Sequence, residues 1–225
     1  MVVRVAVVTG GGRGLGRAYA DALATAGFEV VVNDVDDLDG VTDVADLSSV
    51  AAGRALVQRV VNRFERVDVI VNNAGNSVRS PVVDLDDEGL EHHLGVHLKA
   101  TVGTTGAALP IMGGQGWGRV INTVSGAGLD PKYPGSAAYA TAKAAVHGFT
   151  RAAALEAPSG VTVNAVSPLA VTRMSEDYFA RTDPSARDRL DPAHVANVVV
   201  WLASDDAADV NGRTFRVEGT DVTEV

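Results

Sequence analysis

A tyrosine and a lysine lie four residues apart in the stretch SAAYATAKAA, which covers residues 136–145. Residues four apart share one face of a helix, so Tyr139 and Lys143 are predicted to project together. A phenol is a poor base at neutral pH, because its unperturbed pKa is about 10. A neighbouring ammonium favours the phenolate and is expected to lower that pKa, which suits proton transfer at an alcohol oxygen. An ordinary helix with an aromatic residue and a surface lysine is the alternative interpretation.

A serine is predicted at the end of a strand that precedes this helix. The stretch GRVINTVSGAG, residues 118–128, carries Ser125 to the C-terminal end of the strand. Open α/β sheets bind ligands at that edge. Ser125 could there hold the oxygen that Tyr139 protonates or deprotonates, although a serine in such a place is most often a turn or capping residue.

A glycine-rich turn follows the first predicted strand. In TGGGRGLGRAYADAL, residues 9–23, Gly10, Gly14 and Gly16 allow a tight turn and a close backbone approach to a pyrophosphate. The helix that opens there supplies free N–H groups and a partial positive charge. A glycine-rich turn that binds nothing is the alternative, but Asp34 follows about 20 residues later at the end of the second strand, as a dinucleotide fingerprint requires.

The type of dinucleotide is predicted from Asp34 and Arg13. A carboxylate at Asp34 can accept both hydroxyls of an adenosine ribose and would repel the 2′-phosphate of NADP. Arg13 acts in the opposite sense, because a cation in the glycine turn would attract that phosphate. We give Asp34 more weight and predict NAD, with NADP less favoured; a solvated carboxylate at the strand end is the alternative for Asp34.

The elements that must position these residues alternate along the whole chain. Strands are predicted at 3–8, 29–34, 67–72, 118–125, 161–167 and 214–219, and helices at roughly 14–26, 49–65, 87–112, 137–157 and 192–203. This alternation predicts an α/β fold, a doubly wound Rossmann-type parallel sheet flanked by helices, in a single domain over residues 1–225. Residues 34–46 hold no convincing helix, so we predict a minimal crossover there.

Composition excludes several classes of function. The 225 residues carry a net charge of −9, which argues against nucleic acid as a partner. No apolar run approaches the roughly 18 residues of a membrane span. Without cysteines the chain has no disulfides, thiolate zinc sites or cysteine nucleophiles. We therefore expect a cytoplasmic protein that binds neither nucleic acid nor a membrane.

In order and spacing, these motifs resemble the classical short-chain dehydrogenase/reductase family over almost the whole chain. TGGGRGLG matches the family's TGxxxGxG, NNAG at 72–75 matches its strand-four motif, and Ser125, Tyr139 and Lys143 match its catalytic serine and YxxxK. The resemblance implies that Tyr139 is the acid/base, that Lys143 lowers its pKa and binds the nicotinamide ribose, and that Ser125 orients the substrate oxygen. The residues that it assigns to the cofactor are Gly10, Arg13, Gly14, Leu15, Gly16, Asp34, Asp46, Leu47, Asn73, Ala74, Gly75, Tyr139, Lys143, Pro168, Leu169 and Thr172.

Two departures from the family pattern point to one of its branches. The family's helical active-site asparagine, which helps to hold a water in a proton relay, falls at His97, and Leu169 replaces the glycine of the turn after strand six. Both resemble the hydroxyacyl-CoA dehydrogenase domain of multifunctional enzyme type 2 and bacterial hydroxysteroid dehydrogenases. Histidine also donates and accepts hydrogen bonds, so the resemblance makes His97 a fourth catalytic residue.

His97 has two alternative interpretations. His93 and His97 have a spacing that can bind zinc, but no third ligand is apparent, so we predict no metal site. A packed helix histidine is the other alternative. His92, His147 and His194 show no functional spacing.

The sequence therefore predicts an oxidoreductase that interconverts a secondary alcohol and a ketone with NAD(H), with a 3-hydroxyacyl-CoA or a hydroxysteroid as substrate. The alternatives are an NADPH-dependent 3-oxoacyl or polyketide ketoreductase and a catalytically silent dinucleotide sensor. The resemblance also implies that the segment 173–190 covers the substrate, where its apolar residues could line a pocket for a hydrophobic alcohol or ketone; a surface helix with one apolar face is the alternative. In the family that the chain resembles, helices 87–112 and 137–157 pair across a two-fold axis, which implies a homodimer or homotetramer.

Overall fold

The fold is an eight-stranded sheet with helices on both faces, as predicted. The computed structural model describes residues 2–132, 134–171, 183 and 185–225. The strand order is β3-β2-β1-β4-β5-β6-β7-β8; the first seven strands run parallel and β8 is antiparallel to β7. The strands are β1 Val5–Thr9, β2 Glu29–Asp34, β3 Asp43–Val44, β4 Val69–Asn72, β5 Gly118–Thr123, β6 Val161–Leu169, β7 Thr214–Glu218 and β8 Asp221–Glu224.

The helices form one layer on each face of the sheet. They are α1 Gly14–Thr25, α2 Val50–Phe64, α3 Asp87–His93, α4 Ala100–Gln115, α5 Gly126–Leu129, α6 Ala137–Glu156, α7 Ala186–Arg189 and α8 Pro192–Leu202. Successive residues of β1 alternate between two cores: Ala6 and Val8 pack with α1 and α8, whereas Val5 and Val7 pack with α2 and α4. Burial on both faces explains the continuous apolar runs of the central strands.

The crossover between β2 and β3 is minimal, as predicted. The described residues 35–42 form no helix, and β3 contributes only two residues, which pair with Asn33 and Asp34. The Asn33 side chain donates to the carbonyl oxygen of Asp43 at 3.1 Å, and Arg17 on α1 donates to that of Asp39 at 2.9 Å. Side-chain hydrogen bonds thus hold a segment in which helical packing is missing.

The long helix predicted at 87–112 is interrupted. A π-helical turn, Leu94–Lys99, separates α3 from α4, and α4 continues to Gln115 through Pro110. Within the turn the hydroxyl of Thr101 donates to the carbonyl oxygen of His97 at 2.7 Å. The turn buries Gly95 and His97, and a Cβ atom at Gly95 would lie 2.9 Å from the carbonyl oxygen of Ser48. π-Turns are often found at functional sites, and this one presents His97 to the candidate site.

Gly53 and Gly103 bring α2 and α4 into backbone contact, which leads to a stability prediction. A Cβ atom at Gly53 would lie 2.8 Å from the carbonyl oxygen of Ala100 and 2.9 Å from the amide nitrogen of Thr104. Helix propensity alone favours alanine over glycine by about 1 kcal/mol, but overpacking against backbone costs about 1–3 kcal/mol. We therefore expect Gly53→Ala to lower the free energy of unfolding in a urea titration.

Gly148 in α6 provides the matched control. No atom lies within 4 Å of a Cβ atom placed there, so Gly148→Ala is expected to raise the free energy of unfolding. Equal stabilisation by both substitutions would show that the helices separate freely at Gly53.

None of the helices in the part of the chain that the structure describes is both long and apolar enough to cross a membrane.

Candidate active site

The glycine turn folds as a close junction of β1, α1 and β4. Gly10 has a φ of +60°, and a Cβ atom there would lie 2.8 Å from the Cα of Ala74. Gly16 packs its Cα against the carbonyl oxygen of Gly10, where a side chain has no room. Arg13 precedes α1 and makes no capping hydrogen bond through its side chain, so the first N–H groups of the helix keep their capacity to bind an anion.

Asp34 lies beside this turn at the carboxyl end of β2, as predicted. Its side chain is buried, with one oxygen accepting from the amide of Gly12 at 3.0 Å and the other from the amide of Asp36 at 3.2 Å. Arg13 forms ion pairs with Asp34, at 3.7 Å, and with Asp36. The guanidinium of Arg13 is thus held by carboxylates, which opposes the recruitment of a phosphate.

The other predicted adenosine contacts differ from one another. Asp46 is exposed and accepts from the amide of Ser48 at 2.9 Å, whereas Leu47 is buried in the core beside α2. Both lie directly after β3, on the same edge of the sheet as Asp34. The backbone of Leu47 is therefore better placed than its side chain to meet a ligand.

The NNAG motif braces the glycine turn. The amide nitrogen of the Asn73 side chain donates to the carbonyl oxygens of Thr9 and Gly10, both at 3.1 Å, and the backbone amides of Asn73 and Ala74 donate to the hydroxyl of Thr9. Gly75 packs directly against the imidazole of His97. Asn73 and Ala74 thus fix the shape of the turn, and Gly75 gives His97 its place.

Ser125, Tyr139 and Lys143 are brought together. β5 ends at Thr123, two residues earlier than predicted, and Ser125 caps α5, its hydroxyl accepting from the amide of Ala127 at 3.2 Å. The same hydroxyl faces the phenol of Tyr139 and favours its ionised form. The ammonium of Lys143 lies 5.9 Å from the centre of the Tyr139 ring and donates to the carbonyl oxygen of Thr123 at 2.7 Å.

The expected lowering of the Tyr139 pKa does not appear in the protein alone. Burial raises the pKa of Tyr139, and the nearby Ser125 hydroxyl only opposes that rise. Burial also lowers the pKa of Lys143 to about 7, so its positive charge is only partly present at neutral pH. The prediction neglected the desolvation of the lysine, which removes the charge that would stabilise a phenolate.

His97 lies in the same site. Its imidazole is 2% exposed, contacts the edge of the Tyr139 ring with the ring centres 5.3 Å apart, and places Nε2 2.8 Å from the carbonyl oxygen of Asn76. A carbonyl only accepts, so Nε2 carries the proton and Nδ1 is an acceptor. Nδ1 is buried without a hydrogen-bond partner among the described residues. Burial, then the charge of Lys143, lowers the pKa of His97 to about 2, so the ring stays neutral.

Two neighbouring histidines have structural partners that the sequence did not predict: His93 was weighed only as a zinc ligand, and His92 was given no role. The Nε2 of His93 accepts from the amide of Val78 at 3.3 Å, its Nδ1 lies 2.9 Å from the carbonyl oxygen of Gly89, and His92 bonds the side chain of Asn76 at 2.9 Å. Together with His97 they hold the segment 76–78. The spacing HH-x3-H of His92, His93 and His97 is the sequence feature that could have indicated this cluster. Throughout the chain as described, no three acidic or histidine side chains are grouped as a metal ion would require.

The remaining predicted positions lie at the end of β6 or outside the described residues. Pro168 and Leu169 pair with Val217 and Glu218, and Leu169 is 39% exposed at the carboxyl edge of the sheet. Thr172 and most of the segment 173–190 lie outside the described residues.

The site has the donors and acceptors that a nicotinamide dinucleotide needs. The ammonium of Lys143 has three protons, of which Thr123 takes one, and no second partner lies among the residues that the structure describes. Nδ1 of His97 is an acceptor without a donor. With the N-terminus of α1 and the carboxylate of Asp34, these groups fit the ribose hydroxyls and the pyrophosphate of such a group.

Comparison with known proteins gives consistent matches. Residues 4–182 match the family model described as short chain dehydrogenase. The chain is 39% identical to a peroxisomal hydratase-dehydrogenase-epimerase of Neurospora crassa, over 90% of this chain but 23% of that protein. It is 37% identical to the hydroxyacyl-CoA dehydrogenase ChsB1 of Mycobacterium tuberculosis, over 98% of this chain and 78% of that protein.

A solved structure gives the same result. The crystal structure of a short chain dehydrogenase from Mycobacterium avium superimposes with a TM-score of 0.86 at 36% identity, covering all of this chain and 86% of that one. The fungal protein is much longer, and this chain spans about a quarter of it.

Proposed function

The chain belongs to the short-chain dehydrogenase family, whose members act on CH–OH groups with a nicotinamide dinucleotide, and from that premise we propose that it oxidises a secondary alcohol, or reduces the corresponding ketone, with NAD(H). The observation that carries the proposal is the convergence of the Tyr139 phenol, the Ser125 hydroxyl and the buried Lys143 ammonium at the carboxyl edge of the sheet. A 3-hydroxyacyl-CoA or a hydroxysteroid is the proposed substrate.

The proposed mechanism divides the work between three side chains. The hydroxyl of Ser125 holds the substrate oxygen. In reduction the protonated Oη of Tyr139 gives its proton to the ketone oxygen; in oxidation the phenolate of Tyr139, which a charged Lys143 would stabilise, takes the proton from the alcohol. The two N–H groups of Lys143 that Thr123 does not use would hold ribose hydroxyls of the cofactor, and the acceptors there would favour the charged ammonium. When bound, the cofactor supplies the ring carbon that accepts or donates the hydride.

His97 takes part in this proposal as a hydrogen-bond acceptor. Because its pKa is about 2, and because Nε2–H donates to a backbone carbonyl, the ring has no route by which to pass a proton through itself. The lone pair of Nδ1 remains for a water or a hydroxyl group near Lys143. We therefore propose that His97 holds a water or hydroxyl group of a proton relay in place and does not itself carry the proton.

The preference for NAD is a prediction that rests on Asp34. We expect kcat/KM with NAD to exceed that with NADP, because the 2′-phosphate would meet a buried carboxylate and an Arg13 that is already paired. Asp34→Asn keeps an acceptor for the amide of Gly12 and removes the charge. It is therefore expected to lower the ratio of kcat/KM with NAD to kcat/KM with NADP by about tenfold. Initial rates with both cofactors measure the effect.

Asp37 supplies the control for this prediction. Asp37→Asn makes the same change of net charge at an exposed position of the same crossover, and is expected to leave the cofactor preference unchanged. A wild-type chain that uses NADP better than NAD would contradict the prediction and favour a reductase running on NADPH.

The proposed reaction is tested by NADH formation from purified protein and a panel of a hydroxysteroid, a 3-hydroxyacyl-CoA and simple secondary alcohols. Turnover of any of them, lost in Tyr139→Phe, supports the proposal. Binding of NAD without turnover across the panel would favour a silent sensor.

We further propose that the chain acts in the cytoplasm as a homodimer or homotetramer and binds neither nucleic acid nor a membrane. Its net charge of −9 supports the exclusion of nucleic acid.

A further inference from the structure

A cavity of about 640 Å³ lies between α3, the loop before it and the start of α6. This volume is within the range of small-molecule sites. Val78, Leu85 and Ala138 give it apolar walls, and Gly89 and Gly95 also line it. None of these residues takes part in the mechanism proposed above.

The cavity adjoins Tyr139. Ala138, one of its lining residues, immediately precedes Tyr139, and the His93 imidazole, another, has its ring centre 6.4 Å from that of Tyr139. His93 also fixes the wall, because its two nitrogens bond the amide of Val78 and the carbonyl oxygen of Gly89. One buried side chain therefore links both walls of the cavity to the proposed acid/base.

The charge in the cavity has one sign. Asp86, Glu88 and Glu91 contribute carboxylates, and none of the described lining residues is lysine or arginine. Glu91 is paired with Lys99, and Asp86 caps α3 through the amide of Gly89. Glu88 is exposed at the rim. An anion that enters would lose its hydration next to charges of its own sign.

We propose that this cavity receives an uncharged, apolar substituent of the substrate, and that its carboxylates reject a substituent that ends in an anion. The proposal rests on the oxidoreductase function proposed above and narrows its substrates to those with a neutral hydrocarbon part on the side of α3. Repulsion between the cavity carboxylates and an anionic substituent within about 10 Å is only partly screened by salt. It is expected to lower kcat/KM for the anionic substrate by about tenfold relative to the neutral one.

Two alcohols that differ at one end test the proposal. 2-Decanol and 9-hydroxydecanoate have the same chain, with a terminal methyl in one and a terminal carboxylate in the other. We expect kcat/KM to be at least about tenfold higher for 2-decanol, and Glu88→Lys to narrow the difference by about threefold or more. Glu88→Gln, which only removes the charge, is expected to have an intermediate effect.

Glu29→Lys is the matched control, because it makes the same change of net charge at an exposed site at the amino end of β2, on the edge of the sheet opposite the site. It is expected to leave the ratio between the two alcohols unchanged. Equal use of both alcohols by the wild-type chain, or equal effects of Glu88→Lys and Glu29→Lys on the ratio, would overturn the proposal.

A failure of the proposed function gives a different result. In that case neither alcohol is oxidised with NAD or NADP, and the cavity is then judged by calorimetric titration of the wild-type chain with 2-decanone and with 9-oxodecanoate. Tighter binding of 2-decanone than of 9-oxodecanoate supports the cavity as a neutral site, provided that Glu88→Lys weakens the binding of 2-decanone no more than Glu29→Lys does. Equal binding of the two ketones overturns it.

Discussion

Tyr139→Phe is expected to lower kcat for alcohol oxidation by about 10²- to 10⁴-fold, the usual contribution of a positioned general acid or base. The substitution removes one hydroxyl, which faces the Ser125 hydroxyl, and Ser125 retains its bond with the amide of Ala127. The cofactor groups on Lys143, Asp34 and the glycine turn are untouched. We therefore expect the Kd for NADH, measured by its fluorescence, to change by less than about threefold.

Tyr19 provides a control with the same chemical change. Its side chain is fully buried on α1, and its hydroxyl faces Thr123 outside hydrogen-bond geometry. Tyr19→Phe removes a buried phenol oxygen that has no hydrogen-bond partner among the described residues, so kcat is expected to stay within about twofold while stability holds or rises. Full activity in Tyr139→Phe would show that another group moves the proton, and Ser125 would then be the first candidate.

Most of the fold could be predicted, because the signals come from strands buried on both faces. β1, β2 and β4–β6 contain apolar runs bounded by glycine or polar residues and were predicted within a few residues, as was the more polar β7. β3 and β8 were not. β3 has two residues and β8 is exposed along its whole length, so neither carries an apolar pattern. Their pairing depends on the neighbouring strand.

The interruption of the long helix at the π-turn was beyond prediction for a similar reason. A hydrophobic period of 3.6 residues indicates a helix. It does not indicate where the backbone hydrogen bonds change from the i to i+4 pattern of an α-helix to the i to i+5 pattern of a π-helix. The close approach of Gly95 to Ser48, two segments far apart in sequence, accompanies the turn. Only the folded chain brings those two backbones together.

In the candidate site, sequence predicted neighbours better than it predicted charges. The spacing of Tyr139 and Lys143 placed both on one helix face, and the end of β5 placed Ser125 beside them. The predicted direction of the pKa change was wrong for Tyr139. That direction depends on how deeply Tyr139 and Lys143 are buried, and the spacing of two residues in a sequence does not reveal their burial. The partners of His93 and His97 were likewise hidden, since both bond the segment 76–78 rather than each other.

Lys143→Met is expected to abolish turnover and to raise stability at the same time. In the protein alone, the ammonium is 5% exposed with one hydrogen bond, to Thr123, and burial lowers its pKa to about 7. Replacing an under-paired buried cation with an apolar side chain of similar length stabilises proteins by about 1–4 kcal/mol. The carbonyl of Thr123 loses its donor, which costs about 1 kcal/mol, so a net gain of about 1–2 kcal/mol is expected at pH 6.

The gain should depend on pH with a defined sign. The pKa of Lys143 is lower in the folded chain than in the unfolded chain, where it is near 10.5, so the unfolded chain binds more protons between pH 7 and pH 10.5. Wild-type stability therefore rises with pH in that window relative to the variant. The advantage of Lys143→Met is largest below pH 7 and disappears as the pH approaches 10.5. Urea titrations of both proteins at pH 6 and pH 9.5 measure it.

Lys132→Met is the control, because Lys132 is exposed and its only described partner is Asp130 at 3.4 Å. It should change neither kcat nor the pH dependence of stability. A Lys143→Met variant that is less stable than the wild type at pH 6 would mean that the ammonium is well solvated or well paired. Lys143 would then stabilise the folded chain. The argument that this cation is kept in an apolar site in order to bind ribose hydroxyls would fail.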